Sequence, residues 1–433
     1  MKSQEDIMKI EAHWLEREGI KGDELRATWG KFGLEVSGRW VTDHYVGRGQ
    51  SKTETHLTAP IYPIAEWVVG NWWHLLYEPY VRNRTTASSF ESRHNLMFSS
   101  EGFAVPNCRI ETQGGQHVLT ARAFRFPFSR AEFTNSLGVS IESDIIERAL
   151  KGFVESVISR LEQQGLLSTP LQAAWSQIKN HEPEEVIFCQ AAAMLGYDPY
   201  GLDVSTEEKI IRAYNSMSSD SFWELLAAST GTDILSDLRE FEKARETSHY
   251  SNVSSELYEF KSSHMQNSNE VAPWAQGYRR AQEFRKFLSI DGALTDQNVR
   301  TLFGLDTPVD SLDTSRSDWM DAIVESGART EVRLALGRSR GDSTRFRLCR
   351  CAYEYLASVE GSPRLVTRGR TKNQAENRAF AAELLVPASE LEERIGGNEV
   401  SKEDIEAISG EYGVSTYVVE HQLENHSLAV LPK

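Results

Sequence analysis

The 433-residue chain is long enough for two to four domains of roughly 100–200 residues each. With 40% hydrophobic, 25% charged and 10% aromatic residues it can bury a sizeable core, which excludes a disordered, collagen-like or disulfide-stapled chain. The formal net charge of −16 argues against general nucleic-acid or membrane binding, and four cysteines are too few for a disulfide framework.

The opening residues, MKSQEDIMKIEAHW, mix acids and bases, read as a helix, and contain no apolar leader. No stretch approaches 18 apolar residues, so a soluble, cytoplasmic chain without a membrane span is expected. Segments 33–46, 94–105 and 108–126 read as strands, the last turning at Gly114-Gly115. Between the first two, residues 63–80 read as a buried helix built on Trp67, Trp72, Trp73, Leu76 and Tyr77. Residues 1–135 are therefore expected to form an α+β domain of unassigned role.

From 136 to 245 the period becomes helical. Ile141, Ile145, Ile146, Leu150, Phe153, Val154, Val157, Ile158 and Leu161 mark an amphipathic helix that Gly165 stops. EEVIFCQAAAMLG predicts another helix ending at Gly196, and Ser205 with Glu208 predicts a capping box for the next. Residues 246–272, rich in Ser, Asn and His, read as a linker. The remainder, 273–433, opens with PWAQGYRRAQEFRKFL and is mostly helical, with a strand pair within 319–348. The expected class is α+β, with a helical middle region and a mostly helical last domain.

Three blocks near the C-terminus are the most informative: RFRLCRCAYEYLA (345–357), QAENRAFAAELLVPASEL (374–391) and DIEAISGEYGVSTYVVEHQL (404–423). The second predicts a closely packing helix stopped by Pro387, the third two short helices around Gly413. Together they resemble the C-terminal signature of the ImmA/IrrE family of bacterial zinc metallopeptidases, and PWAQGYRRAQEFRKFL resembles the helix that often opens such domains. The resemblance implies a zincin-like fold over about 160 residues and leaves the first 270 unexplained.

The departures from that pattern decide the chemistry. A zinc helix needs two His at i and i+4, with a Glu between them as general base. Aligning Phe346 and Leu348 puts Arg350 at the first His, Cys351 at the Glu and Glu354 at the second His, while Gln374 replaces the third ligand. Arg stays cationic and Gln is a poor ligand. No HExxH occurs, and no His lies between His264 and His421. The resemblance thus implies a pseudopeptidase with no catalytic residue, metal or other cofactor. Arg350 and Glu354, one turn apart, are expected to pair in the zinc's place, with Gln374 adding a hydrogen bond. Cys349 and Cys351 read as buried thiols, the alternative being a makeshift metal site with Glu354.

Residues 329–372 carry eleven basic and four acidic side chains, whereas 373–433 carry twelve acids and four bases. Either the strip pairs internally, or Arg338, Arg340, Arg345, Arg347 and Arg350 form an anion or nucleic-acid site. The GEYGVSTYVVEHQL segment has helix-turn-helix character but offers no Arg or Lys on its second helix. In the N-terminal part, Trp67, Trp72, Trp73, His74, Tyr77 and Glu78 are either core or the lining of a pocket.

The leading functional expectation is a non-catalytic, partner-binding regulator. The resemblance implies a protein partner such as a helix-turn-helix regulator or an effector, in stress response, mobile-element control or phage defence. The alternatives are an active metallopeptidase with a non-standard site, and a nucleic-acid-binding regulator using the basic strip.

Overall fold

A computed structural model describes residues 7–46, 53–81, 84, 87–125, 131–229, 233–264, 272–305, 313–315, 318–337, 341–395 and 400–429. The chain divides into two units, Met1–Glu207 and Glu208–Lys433. Each mixes helices with small sheets, so the class is α+β.

The first unit begins β1 (Met8–Trp14), α1 (Asp23–Ala27), β2 (Trp29–Val36), β3 (Arg39–Trp40), β4 (His44–Val46), β5 (Thr53–Glu54) and β6 (Leu57–Pro60). Helices α2 (Tyr62–Gly70), α3 (Trp72–Tyr77) and α4 (Ala87–His94) follow. Next come β7 (Asn107–Gln113), β8 (Gln116–Arg122), β9 (Phe124–Arg125), β10 (Ala131–Phe133) and β11 (Leu137–Ile141). Helices α5 (Ser143–Gln163), α6 (Pro170–Lys179) and α7 (Pro183–Met194) complete the unit, and α8 (Val204–Ser216) carries the division at Glu207.

Its strands form three sheets: β1-β2-β3 with β6 also on β2, β5-β4-β10-β9, and β11-β8-β7. The β7–β8 hairpin turns at Gly114-Gly115 as expected, both in the left-handed region at φ 63° and 80°. This is the geometry a two-residue hairpin loop demands. The buried stripe of α5, from Ile145 to Leu161, enters one core with the β1–β2 sheet, and Phe153 meets Phe32 edge-on at 5.6 Å.

Four local expectations change. The chain opens as strand β1 rather than a helix, because Met8, Ile10, Ala12 and Trp14 alternate with Lys9, Glu11 and His13 along all seven pairs with β2. Segment 94–105 is not a strand: Asn95 accepts from the Met97 amide and starts a 3-10 turn, Leu96–Ser99. Segment 63–80 is two helices, broken where Asn71 Nδ2 donates to the Trp67 carbonyl at 2.8 Å. Helix α8 starts one residue before Ser205, capped by Asp203, which accepts from the Thr206 amide at 3.0 Å.

The second unit contains α9 (Ser219–Ala228), α10 (Ile234–Glu246), β12 (His249–Asn252), α11 (Ser255–His264), α12 (Pro273–Leu288) and α13 (Asp296–Thr301). Strands β13 (Asp313–Ser315), β14 (Met320–Ser326) and β15 (Glu331–Gly337) precede α14 (Gly341–Ala357) and β16 (Pro363–Thr367). The chain ends with α15 (Lys372–Leu385), α16 (Ala388–Ile395), α17 (Lys402–Tyr412) and α18 (Thr416–Asn425). The sheet order is β12-β15-β14-β16, with β13 parallel to β15, so the strand pair expected within 319–348 is β14–β15.

Residues 246–264 are not a linker. Strand β12 pairs with β15, and Val253, Leu257 and Phe260 enter the second core. Those three apolar residues at helical spacing are too few to announce a helix without the tertiary contacts that bury them. The stretch 136–245 is likewise divided: residues of α5, α6 and α7 join the first core, whereas α9 packs on β16.

Helices α12 and α14 both pack on α15. Gly277 permits the α12–α15 approach, because a Cβ there would lie 2.2 Å from the Glu376 carbonyl oxygen and 2.8 Å from Ala379 Cβ. Gly277→Val is expected to destabilise the second unit by about 3 kcal/mol. Gly152→Ala, on an open face of α5, is expected to stabilise by about 0.5–1 kcal/mol. Urea unfolding of the two variants checks both signs.

Candidate functional site

Arg350, Glu354 and Gln374 lie where α14 faces α15 and β16. Leu348, Cys349, Cys351, Ala352, Tyr353, Tyr355 and Leu356 are all buried, so α14 is enclosed nearly all round. Arg350 and Glu354 are buried with them.

Arg350 makes four hydrogen bonds. Nε donates to Asn377 Oδ1 at 2.8 Å, Nη1 to Asp321 Oδ2 at 3.0 Å, and Nη2 to Thr367 O at 2.7 Å and Gln374 Oε1 at 2.6 Å. Glu354 is saturated by other groups: Oε2 accepts from Arg364 Nε at 2.7 Å, and Oε1 from Asn373 Nδ2 at 2.7 Å and Asn377 Nδ2 at 2.6 Å. The expected contact between Gln374 and Arg350 is present. The expected Arg350–Glu354 ion pair is replaced by two others, Arg350–Asp321 and Glu354–Arg364, bridged by the Asn377 amide.

Gln374 suits its place better than a Glu would. Its Nε2 donates to the Leu365 carbonyl at 2.7 Å while Oε1 accepts from the Thr367 amide at 2.9 Å, tying α15 to β16. An ionised carboxylate would set an oxygen against the Leu365 carbonyl. Arg364 also donates to Asp220 of α9 at 2.7 Å and to Asn373 at 2.8 Å. Burial opposes its charge, but Glu354 outweighs burial and holds the guanidinium above its usual range.

Glu224, also on α9, accepts from Thr371 Oγ1 at 2.6 Å. Burial pushes its carboxyl up to about 7, with nearby Glu354 adding to the shift while Thr371, Gln374 and Arg364 oppose it. Arg350, Glu354 and Gln374 are thus side chains whose polar atoms already have protein partners. Cys349 and Cys351 are fully buried, and burial pushes the Cys349 thiol up to about 12. The Glu354 oxygens bond to amides and a guanidinium, which accounts for them without a Cys–Cys–Glu metal set.

The arginine strip does not converge on one face among the described residues. Arg338 and Arg340 lie outside them. Arg345 donates to the carbonyls of Leu294, Tyr412 and Gly413, closing the C-terminal end of α17. Arg347 donates to the Gly337 carbonyl. Among the described residues, Arg345, Arg347, Arg350 and Arg364 are engaged by carbonyls and by carboxylates of α9, β14 and α14 rather than by the carboxylates of the acidic C-terminal helices. The two helices around Gly413 are α17 and α18, joined at a left-handed Gly413 of φ 58°.

In the first unit the aromatic group is split among different partners. Trp67 Nε1 donates to Ser92 O at 3.0 Å, Trp72 meets Trp175 edge-on at 4.8 Å, and Trp73 stacks near Tyr77 and His181. His74 is buried, its basicity lowered to about 4 by that burial. Glu78 is not its partner in catalysis but an anchor for Arg93, through 2.8 and 2.5 Å bonds, and for His94 at 3.1 Å. Burial raises the Glu78 carboxyl, yet His94 and Arg93 outweigh it and hold it at about 2.

No family model, curated protein or solved structure matches the chain. Sequence reasoning missed Asp321, Arg364, Asn373, Asn377 and Glu224 in the network. A usable signal was present in EN at 376–377, since an Asn one turn after Gln374 shares its helix face.

Glu354→Ala is expected to cost about 3 kcal/mol, because it removes the buried carboxylate paired with the mostly buried Arg364, leaves that charge only the exposed Asp220, and unpairs the Asn377 and Asn373 amides. Glu354→Leu combined with Arg364→Met should recover most of that loss, whereas combining it with Arg350→Met should not. Denaturant titrations of the three proteins measure this. Glu224 supplies a pH signature: its folded-state acidity is weaker than the unfolded value of 4.5, so stability falls as pH rises from about 4.5 to about 7 and then levels. Glu224→Gln should remove that slope and gain about 3 kcal/mol at pH 8.

Proposed function

We propose that the second unit is a metal-free, ImmA/IrrE-like pseudopeptidase that serves as a regulatory, partner-binding scaffold. The observation supporting this reading is the closed Arg350–Asp321 and Glu354–Arg364 network, which fills all the former ligand positions and presents no free base to a substrate. The resemblance further favours a bacterial cytoplasmic setting, with a helix-turn-helix regulator or an effector protein as partner, in stress response, mobile-element control or phage defence. Among the described residues no helix is long and apolar enough to cross a membrane. The internal engagement of Arg345, Arg347 and Arg350 weighs against the nucleic-acid alternative.

The test is proteolysis by full-length protein supplied with Zn²⁺. Unfolded casein and purified helix-turn-helix repressors should remain intact. Cleavage that a chelator abolishes, and that persists in a His13→Ala/His56→Ala background, would overturn the pseudopeptidase reading. Restoring the ligands by Arg350→His, Cys351→Glu, Glu354→His and Gln374→Glu should lower the melting temperature rather than create activity. Asp321 and Arg364 would then lose their buried partners and keep only the exposed Arg368 and Asp220.

A further inference from the structure

Strand β1 carries Glu11 and His13 on one face, two residues apart, and His56 immediately precedes β6. Strand β2 lies between β1 and β6, so His56 must reach across it. It can do so because Gly33, the residue paired with Glu11, has no side chain. A Cβ at Gly33 would meet His56 Cδ2 and Nε2 at 2.6 Å and Trp40 Cζ3 at 2.7 Å. The imidazole therefore lies on the sheet over Gly33 and beside the Trp40 ring, 4.6 Å between centroids.

Three potential ligand atoms converge there. Glu11 Oε2 stands 2.9 Å from His56 Nε2 and 3.2 Å from His13 Nε2, and all three atoms lie within 4.8 Å of one another. Ligands bound at about 2.0–2.1 Å to a tetrahedral or octahedral ion are separated by about 3.0–3.4 Å. The two spacings from Glu11 fall at about these values, and the imidazole nitrogens of His13 and His56 lie within 4.8 Å of each other. His56 Nδ1 meets Thr55 Oγ1 at 2.9 Å, an outer contact that fixes the ring and leaves Nε2 toward Glu11. Lys9 pairs with the other carboxylate oxygen, Oε1, leaving Oε2 to the two imidazoles.

We propose that Glu11, His13 and His56 form a binding site for a divalent first-row transition ion, Zn²⁺ being the tetrahedral case. Two imidazoles and one carboxylate suit such ions and do not suit Ca²⁺ or Mg²⁺, which favour oxygen donors. His13 is mostly exposed, so the fourth position opens to solvent. The ion ties strand β1 to the β5–β6 connection across β2. The site lies in the first unit and is independent of the pseudopeptidase reading of the second.

Cobalt serves as the probe. Full-length protein titrated with Co²⁺ should bind one equivalent, develop visible d–d absorption, lose it to competing Zn²⁺, and melt at a higher temperature with metal. His13→Ala changes an exposed side chain and should weaken cobalt binding at least about tenfold in a folded protein, while Glu11→Gln with His56→Ala should abolish it. Absence of cobalt uptake, or uptake unchanged by His13→Ala and by the Glu11→Gln/His56→Ala pair, overturns the proposal. Uptake lost instead in Cys349→Ser/Cys351→Ser places the metal on α14 and contradicts the account of both units.

Discussion

A charge removed from water must be met by an opposite charge or a full set of hydrogen bonds, and the second unit is organised around that requirement. Arg350 and Glu354 sit one turn apart on an enclosed helix, and neither is satisfied by the other. Asp321 reaches Arg350 from β14, and Arg364 reaches Glu354 from β16. Gln374, Asn373 and Asn377 of α15 complete both sets. The network consequently joins two helices to two strands, and through Asp220 to α9 as well. Removing one member strands a charge, whereas replacing a whole pair by apolar groups does not.

The same constraint bears on function. A catalytic zinc site requires neutral imidazoles, an open coordination position and a base able to approach water. Arg350, Glu354 and Gln374 offer none of these, since each is engaged by the surrounding amides, carbonyls and charges. The packing serves cohesion of α14, α15 and β16.

Legibility differed with the range of the interactions. Helix α5, the Gly114-Gly115 hairpin, the β14–β15 pair, and the α17–Gly413–α18 turn were readable because their signals are local: a 3.6-residue stripe, two left-handed glycines, two apolar runs, a helix stop. Strand β1 was misread because the mixed charges of its first residues drew attention from the alternation of Met8, Ile10, Ala12 and Trp14. Over 246–264 the expected linker is absent for the opposite reason, since β12 and α11 acquire their order from β15 and the second core, while 265–271 lie outside the described residues. In the network, the contact between Arg350 and Gln374 was foreseen from the sequence. Asp321 and Arg364 were not, because 29 and 14 residues respectively separate them from Arg350, and only the sheet brings them in. Glu11, His13 and His56 were invisible for a similar reason: their convergence depends on β2 lying between two strands and on Gly33 having no side chain.

Chemical footprinting of arginines reaches the central claim most directly. Phenylglyoxal applied to the native full-length protein, followed by peptide mass spectrometry, should modify the exposed Arg368 readily and leave Arg350 and Arg364 untouched until the protein is unfolded. Modification of Arg350 in the native state at the rate of Arg368 would mean that the Arg350 site is open to small molecules, and would contradict a closed, self-satisfied network.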